Sequence, residues 1–218
     1  MKVEEKKQMV AKAALVYLEP GMVIGIGTGS TSNLFIDSLA DAGINIGLTV
    51  ASSDASAERL QRHGIRVQDL ETIERVSVYI DGADEANPRL ELIKGGGGAL
   101  TREKILATAS HTFICMIHDS KLVERLGTFP LPVEVIPSAR TLVTKALIDM
   151  GGNPVEREGF STDNGNLILD VHALIIEDPV ELESDLNQIP GVVCNGLFAH
   201  RRADILLVGT DDGVQTLS

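Results

Sequence analysis

Met22-Val23-Ile24-Gly25-Ile26-Gly27-Thr28-Gly29-Ser30-Thr31 runs from an apolar stretch through a glycine-rich turn into a helical pattern. The run 22–26 follows Pro20-Gly21 and has the length and apolar content of a buried strand. After the turn, Leu34, Phe35, Ser38 and Leu39 recur at helical spacing, which predicts a helix over 31–40. Strand, glycine turn and helix open a βαβ unit, and the flanking chain continues it. Upstream, residues 1–19 read as an amphipathic helix stopped by Pro20 and Gly21. Downstream, strands over 46–50, 65–67, 76–80 and 112–117 alternate with helices over 55–63, closed by Gly64, and over 100–110. Such alternation implies right-handed crossovers and a parallel sheet, whose ligands bind beyond the carboxyl ends of the strands. Chemistry is therefore expected in the loops that follow strands.

Composition agrees with this class. The 218 residues are 44% apolar but 3% aromatic, with no Trp, so the core must come from Val, Ile, Leu and Ala, as in buried parallel sheets. A formal net charge of −12 argues against nucleic acid and against an anionic membrane surface, since both need a cationic footprint. A small anion is still admissible, held by local lysines and backbone N–H groups. Cys115 and Cys194 each lie in an apolar run without CxxC spacing, so neither a disulfide framework nor a zinc site is indicated. His63, His111, His172 and His200 show no metal-ligand spacing either. The N-terminal stretch mixes both signs of charge and lacks the continuous apolar run of a signal peptide, and no later run reaches the length of a membrane span. The expected location is the cytoplasm.

Beyond residue 127 the grammar changes. Phe129-Pro130-Leu131-Pro132 is a stiff connector, 138–150 reads as a helix stopped by Gly151-Gly152, and strands over 155–160 and 167–174 flank the turn signal Asn164-Gly165. Asp178-Pro179-Val180-Glu181 combines an N-cap, a proline at the first helical position and an acid three residues after the cap. With 192–198 as a last strand, the order β-α-β-β-α-β predicts a small ferredoxin-like domain. The expected architecture is α/β: a Rossmann-like parallel-sheet domain over 1–127, to which the chain returns at 203–218, and a smaller ferredoxin-like α+β domain over 128–202.

Three loops combine glycine with ionisable or hydroxyl side chains. In the first, glycines let backbone N–H groups turn towards an anion at a helix N-terminus, and Thr28, Ser30 and Thr31 add hydroxyls. The dinucleotide fingerprint would need glycine where Ser30 stands, and no GKS or GKT follows, so a phosphate monoester fits better than a nucleotide. A purely structural tight turn is the alternative. In the second, Asp81-Gly82-Ala83-Asp84-Glu85 places two carboxylates directly after the strand 76–80, with a solvated acidic turn as the alternative. In the third, Lys94 precedes Gly95-Gly96-Gly97-Gly98, a run whose entropic cost favours close backbone approach to a ligand over a casual linker. Glu103 lies in the first turns of the helix that follows, where the helix dipole alone also favours an acid. Lys121 closes another strand, after His118-Asp119-Ser120. His118 reads as a bystander, and Lys7 could reach the same rim from the first helix.

Together these segments resemble the ribose-5-phosphate isomerase A family over nearly the whole chain. The matching stretches are GIGTGST at 25–31, ASSDAS at 51–56, DGADE at 81–85, LIKGGGGALTREKI at 92–105, DSK at 119–121 and FPLPVEVIP at 129–137. Gly98 stands where the family often has Ala, and Ala86 where a branched residue is common. The resemblance implies interconversion of D-ribose 5-phosphate and D-ribulose 5-phosphate in the non-oxidative pentose phosphate pathway, with no metal or organic cofactor, by a homodimer. Carried over by position, it implies Glu103 as proton acceptor. Substrate would be bound by Thr28, Gly29, Ser30, Thr31, Asp81, Gly82, Ala83, Asp84, Lys94, Gly95, Gly96 and Gly97, assisted by Lys121 and Lys7.

The residue types suit that reaction. An aldose–ketose shift needs a base to move a proton between C2 and C1, donors for the enediolate oxygens, and an acid/base pair to open the furanose. Glu103 suits the first task, Lys94 and the glycine-loop amides the second, and Asp81 and Asp84 the third. A sugar-phosphate sensor without catalysis and a nicotinamide dehydrogenase are the rival classes, and ketose formation from ribose 5-phosphate without NAD or metal separates the three.

Overall fold

The computed structural model describes residues 1–72 and 75–218. In chain order its elements are α1 (Val3–Ala14), β1 (Val23–Ile26), α2 (Ser30–Ala42), β2 (Leu48–Ala51), α3 (Asp54–Arg62), β3 (Val76–Gly82), β4 (Glu85–Ala86), β5 (Leu92–Ile93), α4 (Leu100–Ala109), β6 (Ser110–His118), β7 (Leu131–Val135), α5 (Arg140–Asp149), β8 (Asn153–Glu156), β9 (Leu167–His172), α6 (Pro179–Asn187), β10 (Val192–Asn195), β11 (Leu197–Phe198), β12 (Ile205–Thr210) and β13 (Gly213–Leu217). They form two compact units. One comprises Met1–Ala83, Arg102–Leu122 and Ala203–Ser218, the other Asp84–Thr101 and Val123–Arg202. Among the described residues no helix is long and apolar enough to cross a membrane.

The first unit is built on a six-stranded sheet in the order β13-β12-β6-β3-β1-β2. All neighbours run parallel except β12 and β13, which form an antiparallel pair. The chain leaves β1 for β2 on one side and returns to β3 on the other, so the winding reverses between β1 and β3. Open α/β sheets bind ligands at such a switch point, outside the carboxyl ends of the strands. Val10, Ala11 and Ala14 of α1 and Phe35, Ile36 and Leu39 of α2 pack with Ile24, Ile26, Ile80 and Ile114 of the sheet. Each large side chain buried this way contributes about 1.5–3 kcal/mol, which fixes the helices against the strands they connect.

Several boundaries differ from the sequence reading. The first helix ends at Ala14, and residues 15–17 tighten into a 3₁₀ turn instead of continuing towards Glu19. The strand expected over 65–67 is reduced to an isolated bridge between Thr49 and Val67. There the Thr49 hydroxyl takes the carbonyl of Arg66, which an extended ladder would need. Strand β3 continues through Asp81 and Gly82, and β13 was not foreseen.

The second unit carries a four-stranded antiparallel sheet, β10-β7-β9-β8, with α5 following β7 and α6 following β9. This is the ferredoxin-like strand order. Its core includes Val133, Val135, Val143, Leu147, Leu169 and Leu186. A small three-stranded sheet, β11-β5-β4, accompanies it. Residues 84–101, placed by the sequence reading in the first domain, belong to this unit, because β5 pairs with β11 at Leu197–Ile93 and Phe198–Leu92. Two-residue strands are too short to be seen by periodicity. The Asn164-Gly165 turn exists, with Gly165 at φ +78°, yet β8 stops at Glu156 and β9 begins only at Leu167. The intervening chain is drawn inward by Glu134, fully buried on β7, whose carboxylate accepts from Thr162 Oγ1 at 2.8 Å, Asn164 Nδ2 at 3.1 Å and Asn166 Nδ2 at 2.8 Å. The Thr101 hydroxyl donates to its other oxygen.

Candidate active site

At the switch point of the first unit the chain leaves β1 through Gly27, whose N–H donates to the Ile80 carbonyl of β3 at 2.9 Å. Gly27 must be glycine, because a Cβ there would overlap the Asp81 carboxylate. Gly29 holds φ +117° immediately before α2, a conformation that L side chains rarely adopt. The turn therefore delivers the backbone of residues 28–31 to the N-terminus of α2, where the helix dipole favours an anion.

Asp81 is the centre of this arrangement. It is fully buried, and its Oδ1 accepts from Thr28 N at 3.0 Å, Ser32 Oγ at 2.9 Å and Gly82 N at 2.7 Å. Its Oδ2 accepts from the Tyr79 hydroxyl. Burial, and then the negative charges of Asp81 and Glu103, push the Tyr79 phenol well above its ordinary pKa, so it stays protonated and keeps donating. The Thr28 hydroxyl is engaged in a serine cluster at the end of β2, 2.7 Å from Ser52 Oγ and 2.8 Å from Ser53 Oγ, while Ser56 Oγ donates to the Gly27 carbonyl at 2.8 Å. Ser32, Tyr79 and these serines were not singled out from sequence. The stretch 51–56 was noted only as a matching segment, and its serine density was the available signal.

Cations line the same rim. Lys7 Nζ reaches Ser30 Oγ at 3.1 Å, and Lys121 Nζ donates to the Ala83 carbonyl at 2.7 Å. Lys6, buried on α1, holds the turn that carries Lys121 through Asp119 Oδ2 at 2.6 Å, and it also meets Asp211 Oδ1 at 3.0 Å. His118 is buried too, with Nδ1 2.8 Å from Ser120 Oγ. Its pKa is lowered by burial first and then by the charges of Lys121 and Lys7, so it stays neutral near pH 7. Glu103 stands on α4 with only 3% of its surface exposed, and its charge registers on Tyr79. The neighbouring Arg102 anchors α4 to Asp54 at 2.8 Å. Lys7, residues 28–31, Asp81, Gly82, Ala83, Glu103 and Lys121 thus all belong to one unit.

Asp84, Lys94 and residues 95–97 belong to the second unit. There Asp84 Oδ2 accepts from Gly96 N at 2.7 Å, and a Cβ at Gly96 would lie 2.6 Å from Asp84 Oδ1. Lys94 is buried, with Nζ 5.5 Å from the centre of the Phe198 ring, and its backbone N–H donates to Gly196 O at 2.9 Å. The Gly98 N–H closes a turn on Gly95 O at 2.9 Å. The Gly96 amide, in a loop expected to approach a ligand, therefore serves the loop itself, as does that of Gly98. Among the described residues there is no group of three or more His, Cys, Asp or Glu placed to hold a metal ion.

A doubly wound α/β unit with a hydroxyl-rich glycine turn and two lysines at its switch point, and a buried glutamate in the same unit, has the build of an enzyme. Residues 48–213 match the family model of ribose 5-phosphate isomerase A, also called phosphoriboisomerase A. The structure of ribose 5-phosphate isomerase A from Neisseria gonorrhoeae is 47% identical, covers 99% of this chain and 97% of that one, and superposes with a TM-score of 0.98. Its counterpart from Methanocaldococcus jannaschii is 42% identical over the full length of both chains, with a TM-score of 0.93. A D-ribose-5-phosphate isomerase in complex with phospho-erythronic acid is 41% identical, also over both full chains, with a TM-score of 0.96. The chain belongs to the ribose 5-phosphate isomerase A family.

Proposed function

We propose that this protein interconverts D-ribose 5-phosphate and D-ribulose 5-phosphate through an enediolate, with Glu103 as the general base. The observation that carries the assignment of the base is a glutamate nine-tenths buried on α4, in the unit that also holds the nest at 28–31. Burial shields a carboxylate from competing water and keeps it fixed for a proton transfer between C2 and C1. The phosphate is assigned to the N-terminus of α2, with Thr28, Gly29, Ser30 and Thr31 supplying backbone and hydroxyl donors and with Lys7 and Lys121 supplying charge.

Asp81 spends its oxygens on Thr28, Ser32, Gly82 and Tyr79, which supports a role in holding the nest and its own loop, Gly82 and Ala83, against the sugar. Asp84 is only partly buried, which suits it better than Asp81 to exchange a proton as the furanose opens. Lys94 and the glycine loop are assigned to the enediolate oxygens by their match to the family motif, with Gly95 and Gly96 shaping the loop and Gly97 supplying the backbone donor.

Glu103→Gln keeps the shape and removes the base. Its kcat should fall by about 10²–10⁴-fold while the affinity for ribose 5-phosphate stays within a few-fold of wild type. Near-normal ketose formation in this variant would overturn the assignment. Homodimeric assembly and a cytoplasmic location belong to the same proposal, supported by the family and by two buried thiols of the kind reducing compartments preserve. A single 23.3 kDa species in sedimentation at micromolar concentration would exclude the dimer.

A further inference from the structure

Four successive glycines lose more conformational entropy on ordering than any other tetrapeptide, so a loop of this composition does not hold its peptide planes unaided. Here the 95–96 peptide is gripped at both ends. Its N–H, on Gly96, donates to Asp84 Oδ2 at 2.7 Å. Its carbonyl, on Gly95, accepts from Arg157 Nη1 and Nη2, each at 3.3 Å. The next carbonyl, of Gly96, accepts from the same Nη1 at 3.2 Å. In a trans peptide the C=O and N–H point in opposite directions, so the bond to Gly96 O turns the Gly97 N–H away from Arg157.

Arg157 is itself held rigidly. Its Nε and Nη2 bond the two oxygens of Asp170 at 2.9 Å and 2.6 Å, a bidentate pair in which each side chain is 20% exposed. Its guanidinium carbon lies 5.2 Å from the centre of the Phe160 ring, and that ring fills the space a Cβ would take at Gly98. The forked guanidinium is the group that can satisfy one carboxylate and two carbonyls at once.

We infer that Arg157 is a positioning residue of the isomerase reaction, which sets the Gly95–Gly96–Gly97 peptides so that the Gly97 N–H is presented as a fixed donor to substrate oxygen, and that Asp170 acts through it. The inference rests on the proposed function for its chemistry, while the clamp itself is a property of the second unit. A donor fixed before the reaction contributes mainly where charge develops, so its loss reads in kcat more than in KM.

In the full-length enzyme, Arg157→Ala should lower kcat for ribose 5-phosphate by about 10²-fold, the usual penalty of a misplaced site group, with KM changed only a few-fold. Asp170→Asn should reproduce part of that loss, and the double variant should be no slower than Arg157→Ala alone, because the two act as one unit. Low millimolar guanidine, far below denaturing concentrations, should restore part of the turnover of Arg157→Ala and none of that of Glu103→Gln. Arg157→Lys keeps charge and stem and guards against a folding failure. It should melt close to wild type and still lose kcat, since one ammonium cannot span the carboxylate and both carbonyls. Hydrogen exchange at Gly96 and Gly98 should quicken in Arg157→Ala whether or not the wild type turns over ribose 5-phosphate, which keeps failure of this inference distinct from failure of the function. Wild-type kcat in Arg157→Ala, additive losses in the double variant, or unchanged exchange would overturn it.

Discussion

At the residue scale the informative groups are those that give up exposure to hold something else. Asp81 looks in sequence like a reactive acid beside Asp84, and in the structure its two oxygens accept from Thr28, Ser32, Gly82 and Tyr79. Tyr79 is two residues earlier on β3, so its side chain shares a face of the strand with Asp81, and the hydroxyl reaches the carboxylate. Tyr79→Phe leaves a buried charged acceptor short of one donor. It should lower stability by about 1–3 kcal/mol, read as a lower midpoint in urea with an unchanged slope. Nothing in the sequence singled out Tyr79, because a tyrosine in an apolar strand reads as core, and it is core as well. Glu103 and Lys7 were named as candidates through the family match, but the burial of the first and the bond from the second to Ser30 come only from packing.

At the element scale the two units use different devices to fix their loops. In the first, a parallel strand pair and a glycine at positive φ shape the nest before α2. In the second, the buried carboxylate of Glu134 gathers Thr101, Thr162, Asn164 and Asn166 around β7. Removing it strands the buried Thr162 hydroxyl and takes the shared acceptor from Thr101, Asn164 and Asn166 at once, so Glu134→Ala should destabilise the protein by on the order of 3 kcal/mol and expose the chain near residue 162 to limited proteolysis. An unchanged melting temperature and protease pattern would count against this role. Glu134 sits in the segment FPLPVEVIP, where a single acid in a strand gives no sign of being wholly buried. The hairpin reading missed the width of the 157–166 connection for the same reason, since what widens it is a residue from another strand.

At the scale of the molecule, chain-distant segments meet in one electrostatic knot. Lys6 of α1 binds Asp119 after β6 and Asp211 between β12 and β13, and the fold of the first unit is what brings these three together. The hydrogen bond from Lys6, aided by its charge, holds Asp119 below its ordinary 3.8, so the stabilisation is present above the unfolded-chain value and is lost as pH falls through the lower, folded one. Bonding to Asp119 and Asp211 raises Lys6 above 10.5, so its contribution is complete below that value and is lost as pH rises through the folded one. Asp119→Asn should therefore melt earlier than wild type at neutral pH, and the difference should begin to shrink as pH falls below the ordinary 3.8 and vanish only below the lower, folded value, where the wild type has lost the same contribution. A melting-temperature difference that stays constant from neutral to acid pH would contradict this account.

The sequence by itself determined the alternation of strands and helices, the parallel sheet, the ferredoxin-like order of the smaller part, and the places of the glycine loops. Those features are local: periodicity, caps, glycine and proline act within a turn or two of the chain. Only the tertiary structure decided that residues 84–101 join the second unit, that Asp81 accepts from Thr28, Ser32, Gly82 and Tyr79, that Lys6 secures the turn of Lys121, and that Arg157 grips the glycine run. Each of these depends on partners far apart in sequence, brought to hydrogen-bond distance by strand order and core packing, and no local pattern encodes which distant carbonyl or carboxylate a side chain will meet.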